Sequence, residues 1–283
     1  MTAAEVNVWV LLAALGAAFL HAWWNFLLKS SSDKVLGMTA VIVGQTPLGL
    51  VALVLSPPLP AACWPYLAGS LVLHMGYQIF LLNAYRHGDL TQVYPVARGS
   101  APLLLTLFTL AFLPDKMGAW SLAGVLLISL GVLYLGGVGR GVQDFRALWL
   151  ALLTGLCIAS YSMVDGLGAR VAGTAAGFFG TQAVLDGLIF AAYVRWRYPR
   201  TLRLLPTAGR RVFLIGGSSS FIAYCLVVWA CTQAPIAIVS ALRETSVIFA
   251  LVLGGVFLRE KIGGGKIIAT LVVLAGAVMI RAG

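Results

Sequence analysis

Ten runs of about 20 apolar residues follow one another along the chain, and this recurrence restricts the fold more than any single motif does. Wound as a helix, such a run rises about 30 Å, the thickness of bilayer hydrocarbon. In hydrocarbon each backbone N–H and C=O needs a partner within the protein, which selects helices for runs of this length. The predicted spans are 8–28, 34–55, 64–85, 92–113, 119–138, 147–168, 173–194, 212–231, 235–258 and 264–281. Breakers and charges separate most of them: SSSDK, SPPLP, RHGD, LPDK, GGVGRG and LREK. The longest connector runs from Arg195 to Arg211, and none is long enough for a soluble domain. Charged residues make up 10% of the chain, against about one quarter in a soluble domain. The expectation is an all-α integral membrane protein. Its first run carries Glu5 where a signal peptide has basic residues, and reads as a transmembrane helix.

A net charge of +10 would suit a nucleic-acid partner if the cations formed a patch interleaved with aromatics. They lie instead in short loops, where they read as orientation signals, so no nucleic acid is expected. With alternating spans, one face receives Lys29, Lys34, Arg86, Arg140, Arg146, the arginines of the Arg195–Arg211 connector and the Arg259–Lys266 loop. The other receives Lys116, Arg170 and Arg281. The basic face is expected in the cytoplasm and both termini outside. Cys63, Cys157, Cys225 and Cys231 show neither CxxC spacing nor a ligand cluster, so no metal or redox role is assigned.

The chain also repeats itself. VYPVARGSAPLL…FLPDKMGAW…ISLGVLYL aligns with IVSALRETSVIF…FLREKIGGG…VLAGAVMI without a gap. Arg98 pairs with Arg243, Lys116 with Lys261, Gly118 with Gly263, Gly131 with Gly276 and Asp115 with Glu260, all 145 residues apart. A duplicated unit of five spans is odd in number, so the second copy enters the membrane inverted. Two inverted halves, 1–140 and 141–283, with a binding site between them near the midplane, are the expected organisation. Such a pair of halves in one chain makes a functional monomer.

Polar groups inside the spans need a reason, because a charge at a helix centre costs about 2.5–3.5 kcal/mol on the insertion scale. They recur on single helical faces: His21, Trp24 and Asn25; His74, Tyr77 and Gln78; Tyr94 and Arg98; Tyr161 and Asp165. Gln182 and Asp186, Ser220 and Tyr224, and the cluster Ser240, Arg243 and Glu244 continue the pattern. Taken singly, such residues serve as interhelical hydrogen bonds of about 0.6 kcal/mol each. Seven polar faces together point to a shared wet cavity. Trp9, Trp64, Trp120 and Trp149, near span ends, read as interfacial belt residues. The spans predicted fifth and tenth carry almost no internal polar residues and are placed outside the pathway. Catalytic signatures are missing: there is no HExxH, GxSG or GxGD, and GGGK at Gly263–Lys266 lacks the context of a phosphate-binding loop. No enzyme activity, cofactor or metal is expected.

HAWWNFLLK, YRHGDLTQVYPVARGSAPLL, YSMVDGLGAR and ALRETSVIFALVLGGVFLREK resemble the drug/metabolite transporter superfamily, in its EamA branch, over nearly the whole chain. The resemblance implies ten helices in two inverted five-helix repeats, the first four of each lining a central pathway. It implies export of amino acids or other small metabolites across a bacterial inner membrane, and it includes exporters of aromatic amino acids. Drugs or lipid-like amphiphiles are the alternative cargo. Two features depart from that pattern: Asp115 replaces the usual Glu, and the charge distribution puts the termini outside, where ten-helix members are described with cytoplasmic termini.

The residues expected to meet substrate are His21, Trp24, Asn25, His74, Tyr77, Gln78, Tyr94, Arg98, Tyr161, Asp165, Tyr224, Trp229, Arg243 and Glu244. Guanidinium suits a carboxylate and a ring face or carboxylate suits an ammonium, so the set matches an α-amino acid. Asp165, Asp186, Glu244, His21 and His74 are candidate proton carriers, and the carboxylates are equally candidates for pairing with Arg98 and Arg243.

Overall fold

The computed structural model describes residues 7–29, 33–87, 90–112, 117–135, 144–257 and 263–282. Asp115, Lys116, Glu260 and Lys261, which contribute to the repeat, lie outside these residues, as do Arg140, Arg259 and the side chains of Lys29 and Tyr94. The described residues form helices in each predicted span: α1 (Val8–Lys29), α2 (Lys34–Gly44), α3 (Thr46–Leu55), α4 (Trp64–His87), α5 (Leu90–Phe112) and α6 (Ala119–Leu135). The second half supplies α7 (Phe145–Ala172), α8 (Ala175–Arg197), α9 (Gly217–Gln233), α10 (Ile236–Arg243), α11 (Ser246–Phe257) and α12 (Gly264–Ala282). Nine helical segments among the described residues are long and apolar enough to cross a bilayer, and α6 is an apolar helix of 17 residues, about 26 Å long. Side chains such as Val54, Leu55, Phe112 and Val278 stand exposed around the bundle, as a lipid solvent requires. Trp9, Trp64, Trp120 and Trp149 are also more than half exposed.

Two predicted spans are broken where continuous helices were expected. The second divides into α2 and α3 at Gln45, just before Pro47, whose missing N–H cannot continue the ladder. The ninth divides into α10 and α11 at Glu244–Thr245 without a proline. There the Glu244 and Thr245 N–H groups bond three residues back, to Ala241 O and Leu242 O, and the Thr245 hydroxyl also donates to Leu242 O at 2.7 Å. This local hydroxyl bond and tightened turn interrupt the α-helical register.

The helices pack across the halves. α4 and α5 lie against α7; α9 and the α10–α11 span lie against α1. α2 and α3 pack on α8, and α6 packs on α12. Exchanging each span with the one five places later returns this set of six pairings.

The α6–α12 crossing depends on glycine. A Cβ on Gly124 would lie 2.5 Å from Gly276 O, and one on Gly276 would lie 2.6 Å from Gly124 O. Lower in the same crossing, Gly131 meets Ala269 O, so the contact is itself symmetric in the 145-residue offset. Small residues let the two backbones touch, which is how helices associate where burial from water offers no drive. Neither helix contributes to the central cavity.

The long arginine connector meets α2 and the end of α4. Arg86 of α4 donates to the Tyr198 hydroxyl after α8, and the Arg197 guanidinium lies 5.4 Å from the centre of the same ring. α2 packs on the short turn Thr201–Leu204 of the long arginine connector, and Asp33 caps α2 by accepting from Val35 and Leu36 N–H.

Candidate functional site

A cavity opens among α1, α2, α4, α5, α7, α8, α9 and α10. From the first half come Ala17, His21 and Trp24 of α1, Met38, Val41 and Ile42 of α2, and Gln45 at the break. His74, Tyr77 and Gln78 face it from α4 and Arg98 from α5. From the second half come Tyr161 of α7, then Phe179, Gln182 and Asp186 of α8. Ser220, Ala223, Tyr224 and Val227 of α9 and Arg243 of α10 complete the wall. The space open to a water-sized molecule is about 80 Å³, enough for several waters and far below the roughly 300 Å³ at which drug-sized sites begin.

One wall is aromatic. His74 stacks on Tyr161 with ring centres 4.1 Å apart; Tyr77 and Tyr224 meet Tyr161 edge-on at 5.7 and 5.9 Å. Phe179 adds an edge contact to Tyr224 at 4.8 Å. Trp24 donates its indole N–H to His21 Nδ1 at 3.2 Å.

The charges are arranged in three groups, with Arg243 set beside Tyr224. Arg98 grips both oxygens of Glu244: its Nε donates to Oε2 at 3.0 Å and its Nη2 lies 2.9 Å from Oε1. The Tyr224 hydroxyl donates to Asp165 Oδ2 at 2.6 Å, and His74 Nε2 lies 3.8 Å from the same oxygen. Gln78 Nε2 donates to Asp186 Oδ2 at 2.8 Å, while Asp186 Oδ1 and Gln182 Nε2 have no hydrogen-bond partner. Arg243, only 2% exposed, has its guanidinium 5.9 Å from the centre of the Tyr224 ring. Among the described residues no group of three His, Cys, Asp or Glu side chains is placed to hold a metal ion.

His21, Trp24, His74, Tyr77, Gln78, Arg98, Tyr161, Tyr224 and Arg243 thus line one cavity. Asp165 and Glu244 stand behind its wall, held by Tyr224 and Arg98. Two expectations are corrected. Asn25 does not reach the cavity, because its amide donates to His21 O at 2.7 Å, one turn back on its own helix. Trp229 is 37% exposed and lines an outer groove with Trp9 and Leu12, so its ring belongs with the belt tryptophans. Of the candidate acids, Glu244 is paired with arginine, whereas Asp165 and Asp186 are held by tyrosine and glutamine. The cavity also includes Gln182, Asp186 and Ser220, which share polar helical faces in sequence, and Gln45, marked in sequence only by the nearby Pro47.

The model of the EamA-like transporter family matches residues 145–282, from the first residue of α7 to the last of α12. A crystal structure described only as that of a protein is similar over 95% of both chains, with a TM-score of 0.77 and 17% identity, a likeness of fold alone. No curated protein matches the chain. Its helices are apolar and membrane-length, and over residues 145–282 the chain is similar to the EamA-like transporter family, which together support a multi-pass membrane transporter.

Proposed function

We propose that the protein exports amino acids with apolar or aromatic side chains across a bacterial inner membrane, by alternating access between the inverted halves 1–140 and 141–283. The observation that carries this reading is a single cavity bearing arginine, carboxylate and a wall of stacked rings from both halves. A zwitterion needs both charges, and an apolar side chain has His74, Tyr77, Tyr161 and Tyr224 to stack on. A lipophilic drug or lipid-like amphiphile has less in its favour, since such cargo gains nothing from buried Arg98, Arg243 and Asp186. Loading requires the cavity to widen, which rocking of one half against the other provides. Each chain contains both halves, so a monomer is the proposed transporting unit.

Purified protein in vesicles is expected to move labelled phenylalanine or leucine faster than protein-free vesicles do. Transport no faster than the blank for every apolar and aromatic amino acid would remove the reading. Tyr77→Ala should lower transport of phenylalanine by about 2- to 10-fold, the worth of one aromatic contact, at unchanged protein level in the membrane. Equal rates for variant and parent would place Tyr77 outside the substrate path.

The basic loops are proposed to face the cytoplasm, with both termini outside. A phosphatase fused after Gly283 should then be active and a fluorescent protein fused there dark. A bright fluorescent fusion reverses the orientation.

A further inference from the structure

Arg98 and Arg243 hold matching positions 145 residues apart, yet their surroundings differ. Glu244 gives both oxygens to Arg98, at 2.9 and 3.0 Å, which balances that charge by direct contact. Its Oε1 is 4.0 Å from Arg243 Nε, beyond hydrogen-bonding distance. No other carboxylate among the described residues lies within 4.0 Å of Arg243. Arg243 is nevertheless 2% exposed, lines the cavity, and keeps Nε and Nη2 without hydrogen-bond partners. A guanidinium withdrawn from water with idle donors is costly, and an anion entering the cavity relieves that cost. The ring of Tyr224 supports one side of it without satisfying any N–H in the plane.

We infer that Arg243 is the seat of the substrate's carboxylate and that Arg98 is not. Arg98 serves Glu244: it ties α5 to the α10–α11 break and keeps Glu244 from folding back onto Arg243, its neighbour in sequence. The protein thereby holds one arginine in an ion pair and the repeat-related one open to cargo. The inference rests on the amino-acid reading for its substrate, though the seat itself requires only a carboxylate.

The test uses the full chain in lipid nanodiscs and three probes: phenylalanine, 3-phenylpropionate, which lacks the ammonium, and phenethylamine, which lacks the carboxylate. Arg243→Gln is expected to weaken binding of both carboxylates by roughly tenfold or more, with less than about twofold change for phenethylamine. Arg243→Lys, which keeps the charge, should recover part of the loss. Arg98→Gln alone should also weaken the carboxylates, because the released Glu244 captures Arg243, and adding Glu244→Gln should restore them. Were Arg98 the seat, the second substitution would restore nothing. Equal loss of all three probes in Arg243→Gln, with no carboxylate preference regained by lysine, overturns the inference, as does unaltered carboxylate binding. If the parent protein takes 3-phenylpropionate but not phenylalanine and Arg243→Gln weakens it, the seat stands and the amino-acid reading falls. Binding of none of the probes by the parent overturns both.

Discussion

Glu244→Ala is expected to destabilise the protein by about 3–5 kcal/mol, whereas the joint change Arg98→Met with Glu244→Leu should recover most of that loss. Both partners are nearly inaccessible, at 5% and 2% exposure, and they meet through both carboxylate oxygens. Removing Glu244 alone takes from the buried Arg98 guanidinium the carboxylate it grips. Removing the pair takes away the desolvation cost of both members and leaves apolar side chains of similar volume. The measurement is unfolding of purified protein in detergent for the two singles and the double. A double variant as unstable as the single would mean that Arg98 and Glu244 matter for shape and local hydrogen bonding rather than charge balance. The stable double variant also separates two roles, because a fold held without the pair can still be assayed for carboxylate preference at Arg243.

A second large effect is expected far from the cavity. Gly124→Val should cost about 1–3 kcal/mol or more, because its Cβ would stand 2.5 Å from Gly276 O and 2.7 Å from Ile280 Cγ1. The first of these atoms is backbone and cannot swing aside, so α6 and α12 must separate along a crossing that also includes Gly131 and Ala269. Since neither helix lines the cavity, the protein that does fold should bind substrate with unchanged affinity. Gly263→Ala, whose added carbon meets nothing within 4 Å, is the matched control and should leave stability unaltered. Unfolding measurements joined to a binding assay check both halves of the expectation. A folded Gly124→Val variant with weakened binding would show that the α6–α12 contact governs the cavity after all.

Much of this architecture was legible in the order of residues. Length and apolarity place the spans, because lipid leaves the backbone no alternative to internal hydrogen bonding. Gly131 and Gly276, joined in sequence by the 145-residue offset, both lie in the α6–α12 crossing. Helical period put His74, Tyr77 and Gln78 on one face, and all three meet the same cavity. The period says nothing, however, about how each helix is rotated or what stands opposite. Asn25 shares a face with His21, but its short side chain closes onto the carbonyl one turn back. Trp229 lies five residues beyond Tyr224, which turns it toward the outer groove while Tyr224 faces inward. Glu244 adjoins Arg243 in sequence, yet the turn at the α10–α11 break and the packing of α5 give its oxygens to Arg98. By itself the sequence determined a membrane bundle of repeated helices with polar faces turned to a common interior. Tertiary packing alone decided which of the two buried arginines grips Glu244, because pairing depends on distances between helices that no periodicity within a helix encodes.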